Sequence, residues 1–315
     1  MERVSCHGWE NCCRLSNGLV EAVVTGDVGP RIIRFGRVGG DNEFKVFDNQ
    51  AGHTGDGIWR AYGGHRLWHA PEHPVRTYVA DNAPVEISAC PGGLRAVQPV
   101  ESLTGIRKEV EVRLAPDQPA ATVTHRLTNA GQDTPELAPW ALSVMAPGGV
   151  AILPLPPAGC HPAELLPTNA LVIWAYTEPA DARWSWGRRH ALLWQEASAS
   201  RPQKIGLAGP PGWAAYVNRG RAFVKRVTVE EGKTYPDRGS VIEAFTNADM
   251  LELESLGPLV RLEPGASIEH VEHWWLLDGV NVPGSDEEFE AFRQRVEKLP
   301  APAWRDVRQA GRGVV

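Results

Sequence analysis

Along much of this chain, apolar and polar residues alternate in short runs closed by turn residues. Lys108–Leu114, Met250–Leu256 and Ser267–Leu276 alternate most cleanly. Shorter runs with β-branched residues lie at Leu19–Thr25, Arg31–Phe35, Val85–Ser88, Ala121–Leu127, Ala170–Trp174, Ala222–Val229 and Val241–Phe245. A period of two sends successive side chains to opposite faces of a strand, and turn residues every ~8–12 positions return the chain. The 32 glycines and 26 prolines are spread throughout rather than gathered into a linker. Asn218-Arg219-Gly220-Arg221 reads as a hairpin turn, and Pro154–Pro157 as an extended connection inside one fold.

One helix stands apart from this pattern. Ser285 is its cap and Glu288 completes a capping box; Phe289, Phe292, Val296 and Leu299 recur at helical spacing before Pro300. The expectation is an all-β antiparallel sandwich filling residues 1–315 as a single domain, with a C-terminal helix over 285–299 and a frayed tail over 306–315. No repeat of fixed period is visible.

The densest chemistry lies in Tyr62-Gly63-Gly64-His65-Arg66-Leu67-Trp68-His69-Ala70-Pro71-Glu72-His73. Flanking glycines and prolines argue against a helix, so a loop or strand edge facing a cleft is expected. Aromatic faces cover the C–H side of a sugar ring, and charged forks take its hydroxyls. Arg66 is the candidate for a hydroxyl or phosphate contact, or else an ion-pair partner of Glu72; His73 is a candidate loop cap. The twelve tryptophans, Trp68 among them, suit core packing as well as stacking platforms.

Charge and cysteines narrow the class. A formal net charge of −6, with no Lys/Arg-rich run, argues against nucleic acid and acidic membrane surfaces as partners. The five cysteines show no C-x-x-C spacing and read as reduced thiols. The N-terminus lacks a signal-peptide apolar core, and no apolar run approaches the ~20 residues that span a bilayer. A cytoplasmic protein is expected; its oligomeric state is not legible.

Gly63-Gly64-His65-Arg66-Leu67-Trp68-His69-Ala70-Pro71-Glu72, an early Asn42-Glu43-Phe44, Leu127-Thr128-Asn129 and Met250–Leu259, in this order, resemble the galactose mutarotase-like superfamily, which includes the aldose 1-epimerases. The resemblance spans roughly residues 15–280 and is closest to a bacterial branch marked by the first and last of these stretches. It implies a β-supersandwich with a sugar cleft, no cofactor, and ring opening of an aldose by a late-strand glutamate as base and a histidine as acid. Glu252 and Glu254, two apart, share one face of such a strand, and either fits the base. At the acid's expected place stand Pro139 and Trp140, and an indole N–H is far too weakly acidic for that role. His65, His69 or His125 then remain to supply the proton.

What the resemblance implies is therefore a carbohydrate-binding protein whose enzyme form is an aldose 1-epimerase. Glu254, Glu252 and His69 are its catalytic candidates; His65, Arg66, Trp68, Glu72, Trp140 and His125 are its sugar-contact candidates. A non-catalytic sugar-binding module is the alternative. A metal-dependent enzyme built on His65, His69 and His73, with His53 and Glu72, is a further one, although neither this set nor His270-Val271-Glu272-His273 has a known ligand spacing, and no metal is assigned.

Overall fold

Alternation of this kind needs a second layer to cover its apolar face, and the computed structural model supplies one. It describes residues 1–157 and 159–302; the expected tail over 306–315 lies outside them. Among the described residues the strands form an eleven-stranded and a ten-stranded sheet, paired antiparallel throughout. One core cluster draws side chains from both, including Phe35, Phe44 and Leu253 from the first sheet and Val110, Phe223 and Trp274 from the second. Phe35, Phe44 and Phe223 meet the Trp274 ring at 5.3–5.6 Å in edge-to-face contacts.

Ile106–Leu114 and Ser267–Asp278 form strands as expected, each pairing with Ala120–Asn129. Arg219 and Gly220 both adopt positive φ (51° and 72°), the geometry of a two-residue hairpin turn joining Trp213–Asn218 to Arg221–Val227. The C-terminal helix runs Asp286–Glu297, with Ser285 accepting the Glu288 N–H; Phe289, Phe292 and Val296 are its buried face.

Strands without alternation escape the sequence pattern. Val150–Pro154, His190–Trp194 and Trp213–Asn218 are near-continuously apolar because both of their faces are covered. The expected loop or edge at residues 62–73 is also corrected. His65–Ala70 is an interior strand, paired with Arg31–Arg37 on one side and Glu136–Met145 on the other, and buried along its whole length. Gly63 and Gly64, both at positive φ, admit it: a Cβ at either would sit 2.0–2.5 Å from a neighbouring carbonyl oxygen.

Between the sheets lies a polar chain. The His125 Nδ1–H donates to the His270 carbonyl (2.9 Å), which leaves its Nε2 to accept from His65 Nε2–H (2.6 Å). His65 Nδ1 then accepts from Ser143 (2.8 Å). His270 Nε2–H donates to Ser255, whose hydroxyl donates to Glu272. Glu272 also pairs with Lys225 (2.9 Å) and accepts the Trp274 indole N–H (2.7 Å). Burial holds the three histidines below the usual imidazole range, His270 to about 3; burial would raise Glu272, but Lys225 and the histidines outweigh it and lower its pKa.

His270 faces His125, Glu272 and Lys225. Its folded pKa lies below the unfolded value of ~6.5, so acidification below that value charges the unfolded chain first. Its contribution is intact above pH 6.5 and drains away as pH falls toward 3. In a His270→Gln variant this loss is missing. Paired urea denaturation at several pH values is expected to show the stability difference between wild type and variant narrowing, by up to about 1.4 kcal/mol per pH unit. A gap independent of pH would contradict it.

Candidate functional site

On the outer face of the eleven-stranded sheet, five neighbouring strands bring charged and aromatic residues into one cleft. In order across the sheet they are His65–Ala70, Glu136–Met145, Leu251–Leu256, Ser240–Thr246 and Gln203–Ala208. Register sets Arg66 beside Leu142 and Leu142 beside Glu254, then Glu254 beside Glu243. The cleft holds about 160 Å³; Trp59, Glu72, Tyr78 and Tyr176 add to its walls from outside those strands. That is smaller than the ~300–1,000 Å³ of drug-sized ligand sites, so it suits one small ring.

Glu254 lines this cleft. Its Oε2 accepts from the Trp140 indole N–H (2.8 Å) and from the Lys204 ammonium (2.9 Å). Its Oε1 accepts no hydrogen bond from the described residues. Glu252 Oε1 accepts from Arg66 Nη2 (2.9 Å), and the Arg66 guanidinium lies 4.3 Å over the Trp68 ring. Arg66 Nε and Nη1 are buried without a partner, which leaves two nitrogens with three N–H groups to serve a ligand. Trp59, Trp68, Tyr78 and Trp140 pack edge to face or tilted, with centroids 5.0–5.9 Å apart.

Lys204 lies 2.7 Å from Glu243 as well and 4.8 Å over the rings of Trp140 and Trp174. Burial opposes its charge, but Glu243 and Glu254 outweigh that and hold the ammonium well above its usual range. Burial first, then repulsion from Glu254, raises both Glu243 and Glu252. Glu243, Glu252 and Glu254 face Arg66 and Lys204 here, with Glu72 and Asp237 nearby, so carboxylates outnumber cations.

Arg66, Trp68, Glu72, Trp140, Glu252 and Glu254 thus line one cleft, although nearly two hundred positions separate the two segments that supply most of them. Trp140 is only 1% exposed and works through its N–H rather than as an open stacking face. Tyr78, not Arg66, is the partner of Glu72. His65, His69 and His125 are not in the cleft. The strand's period of two turns His65 and His69 away from Arg66 and Trp68, and His125 belongs to the opposite sheet. None of the three reaches the carboxylates as an acid.

The same alternation dissolves the proposed metal set. His65 points into the core, His69 lies in a separate cleft, and His73 Nδ1 caps the loop by accepting the N–H groups of Val75 and Arg76. Ligand atoms of His65, His125 and Glu272 do converge within 4.8 Å, but these are the groups engaged in the core chain, with Lys225 already balancing the carboxylate.

Lys204, Glu243, Tyr78 and Tyr176 were not singled out from the sequence. A signal existed for two of them: a lone charge inside an apolar strand, as in Val-Ile-Glu-Ala-Phe at 241–245 and Lys-Ile-Gly-Leu at 204–207. Buried charges persist only with partners.

No family model and no curated protein matches this sequence. Solved structures do. A galactose mutarotase-like protein from Lactobacillus casei aligns over 85% of this chain and 100% of its own, with TM-score 0.52 and 10% identity. A galactose mutarotase related enzyme from Lactobacillus acidophilus aligns over 86% and 98%, with TM-score 0.53 and 11% identity. A TPR-domain containing protein from Parabacteroides distasonis aligns over 87% of this chain at TM-score 0.54 and 15% identity; the chain spans about half (49%) of that protein's length. The architecture is therefore the galactose mutarotase-like fold. At such identities the likeness speaks to the fold alone.

Proposed function

We propose that this protein binds a single free sugar, or a small derivative of one, in the Glu252/Glu254 cleft and exchanges its anomers. The observation that carries the reading is Glu254: one oxygen is fixed by Trp140 and Lys204, while Oε1 is left for a substrate hydroxyl. A carboxylate so held can take the anomeric proton without reorienting. The other half of the reaction needs a donor to the ring oxygen. Glu252, raised by burial and by Glu254, supplies it in place of the absent histidine, on the principle that paired carboxylates in unlike environments divide the roles of acid and base. Arg66 offers its two unpartnered nitrogens to ring hydroxyls, and Trp68 closes the apolar side.

The five unpaired cysteines fit action in the cytoplasm, and no helix among the described residues is long and apolar enough to cross a membrane. Saturation-transfer NMR on a panel of aldoses and aldose phosphates tests the reading. Faster α/β exchange with at least one sugar, at stoichiometries far below one, is expected. Binding without faster exchange would leave the cleft as a sugar-binding module, the role favoured if the Trp140 and Lys204 bonds hold Glu254 too firmly to act. No binding by any sugar would remove both.

A further inference from the structure

On the opposite face of the His65–Ala70 strand, His69 and Arg76 face a second cleft, of about 350 Å³. Its walls come from residues 102–106 and 129–137 at one end of the sandwich. His69 is 3% exposed, yet neither ring nitrogen has a partner among the described residues. Arg76 Nε is buried without a partner too, and its guanidinium has no carboxylate partner among the described residues. Buried polar atoms are nearly always bonded, so three orphans on one wall mark a place for something absent from the chain itself.

The charges around them decide its sign. Lys108 and Glu101 form a buried pair that cancels. Asp133, the carboxylate in the cleft wall, is exposed on the rim and screened by water. Arg76, half-buried in the cleft wall, is therefore its uncompensated charge. Burial, with Lys108 and Arg76, presses His69 down to about 4, so its ring is neutral and presents one N–H and one lone pair. A guanidinium asks for an oxyanion, and the imidazole lone pair asks for a donor on the same ligand.

We infer that this cleft is a binding site for a small oxyanion that also carries a hydroxyl, such as monohydrogen phosphate, a phosphate monoester of a polyol or a hydroxy-carboxylate, held by Arg76 and His69. The site is independent of the sugar reading, because alternate residues of one strand serve opposite faces of the sheet.

Inorganic phosphate is the first probe, followed by its ¹⁵N-histidine NMR titration and calorimetry on the full chain near pH 7. Saturable binding at millimolar phosphate or tighter is expected, with His69 ring signals moving. Sulfate at the same ionic strength, lacking a hydroxyl at this pH, is expected to bind at least several-fold more weakly. Arg76→Gln should weaken phosphate at least tenfold, while Arg201→Gln, exposed and outside both clefts, should leave it unchanged. Comparing glycerol phosphate with lactate then separates phosphate monoesters from hydroxy-carboxylates. Should Arg76→Gln fail to fold, the His69 ring shifts in the wild type still decide the matter. Unmoved His69 signals, or phosphate binding indifferent to Arg76, would overturn the assignment.

Discussion

Replacing Glu254 by Gln is expected to slow anomer exchange by about 10²–10⁴-fold, the usual worth of a positioned general base, while leaving the fold intact. The carboxamide keeps the shape and can still accept from Trp140, but it cannot take a proton. The electrostatic ledger of the cleft explains why stability should survive. Glu243, Glu252 and Glu254 face Arg66 and Lys204, with Glu72 and Asp237 nearby, an excess of carboxylates. Removing one charge lessens that excess, and Lys204 keeps Glu243. Thermal melting of Glu254→Gln is therefore expected at or slightly above the wild-type temperature, together with the loss of exchange measured by polarimetry. A variant that melts far below wild type would show that Glu254 is a structural member first, and exchange at the wild-type rate would remove it as the base.

The mirror-image experiment lies in the core, and its expected sign is opposite. Glu272 and Lys225 are both fully buried and match one for one. Glu272→Gln leaves the Lys225 ammonium between the sheets without a counter-charge, and also weakens the hydrogen bonds of Ser255 and Trp274. Breaking one member of a buried pair costs about 3–5 kcal/mol. Urea unfolding should register a loss of that order, with anomer exchange by the surviving folded fraction preserved. The double change Glu272→Gln with Lys225→Met should recover a large part of it, because no ammonium is then left buried without a counter-charge. A double variant as unstable as the single would mean that the bonds to Ser255 and Trp274, rather than the stranded charge, carry the effect.

These two carboxylates occupy strands of similar grammar in opposite sheets, yet opposite consequences are expected. Glu254 belongs to Leu251–Leu256, where the alternation read in the sequence correctly put Leu251 and Leu253 toward the core and both glutamates on the other face. Glu272 belongs to Ser267–Asp278, where His270 and Glu272 take the inward positions. Alternation tells which residues share a face. It does not tell which face is wet, and in both strands the polar face turned out to be enclosed.

The same limit accounts for the histidines. His65, Arg66, Trp68 and His69 looked like one constellation because they are adjacent in the chain. Once Tyr62–His73 is seen to contain a strand, adjacency works against them, since neighbours point to opposite sides. Arg66 and Trp68 went to the carboxylates, His65 to the core and His69 to the far cleft. Trp140, read as an obstacle in the place of an acid, is the donor that orients Glu254.

By itself the sequence determined the local geometry: the strand period, the Arg219-Gly220 turn, the capped helix at Ser285, and the shared face of Glu252 and Glu254. These depend on φ/ψ preferences and side-chain periodicity within a few residues. Only the tertiary structure decided that the Arg66 and Glu254 strands stand either side of Glu136–Met145, that Lys204 and Glu243 complete their charge balance, and that the histidines lie elsewhere. Such pairings are set by strand order and register across the sheet, where partners distant in the chain meet through backbone hydrogen bonds that carry no trace in either segment alone.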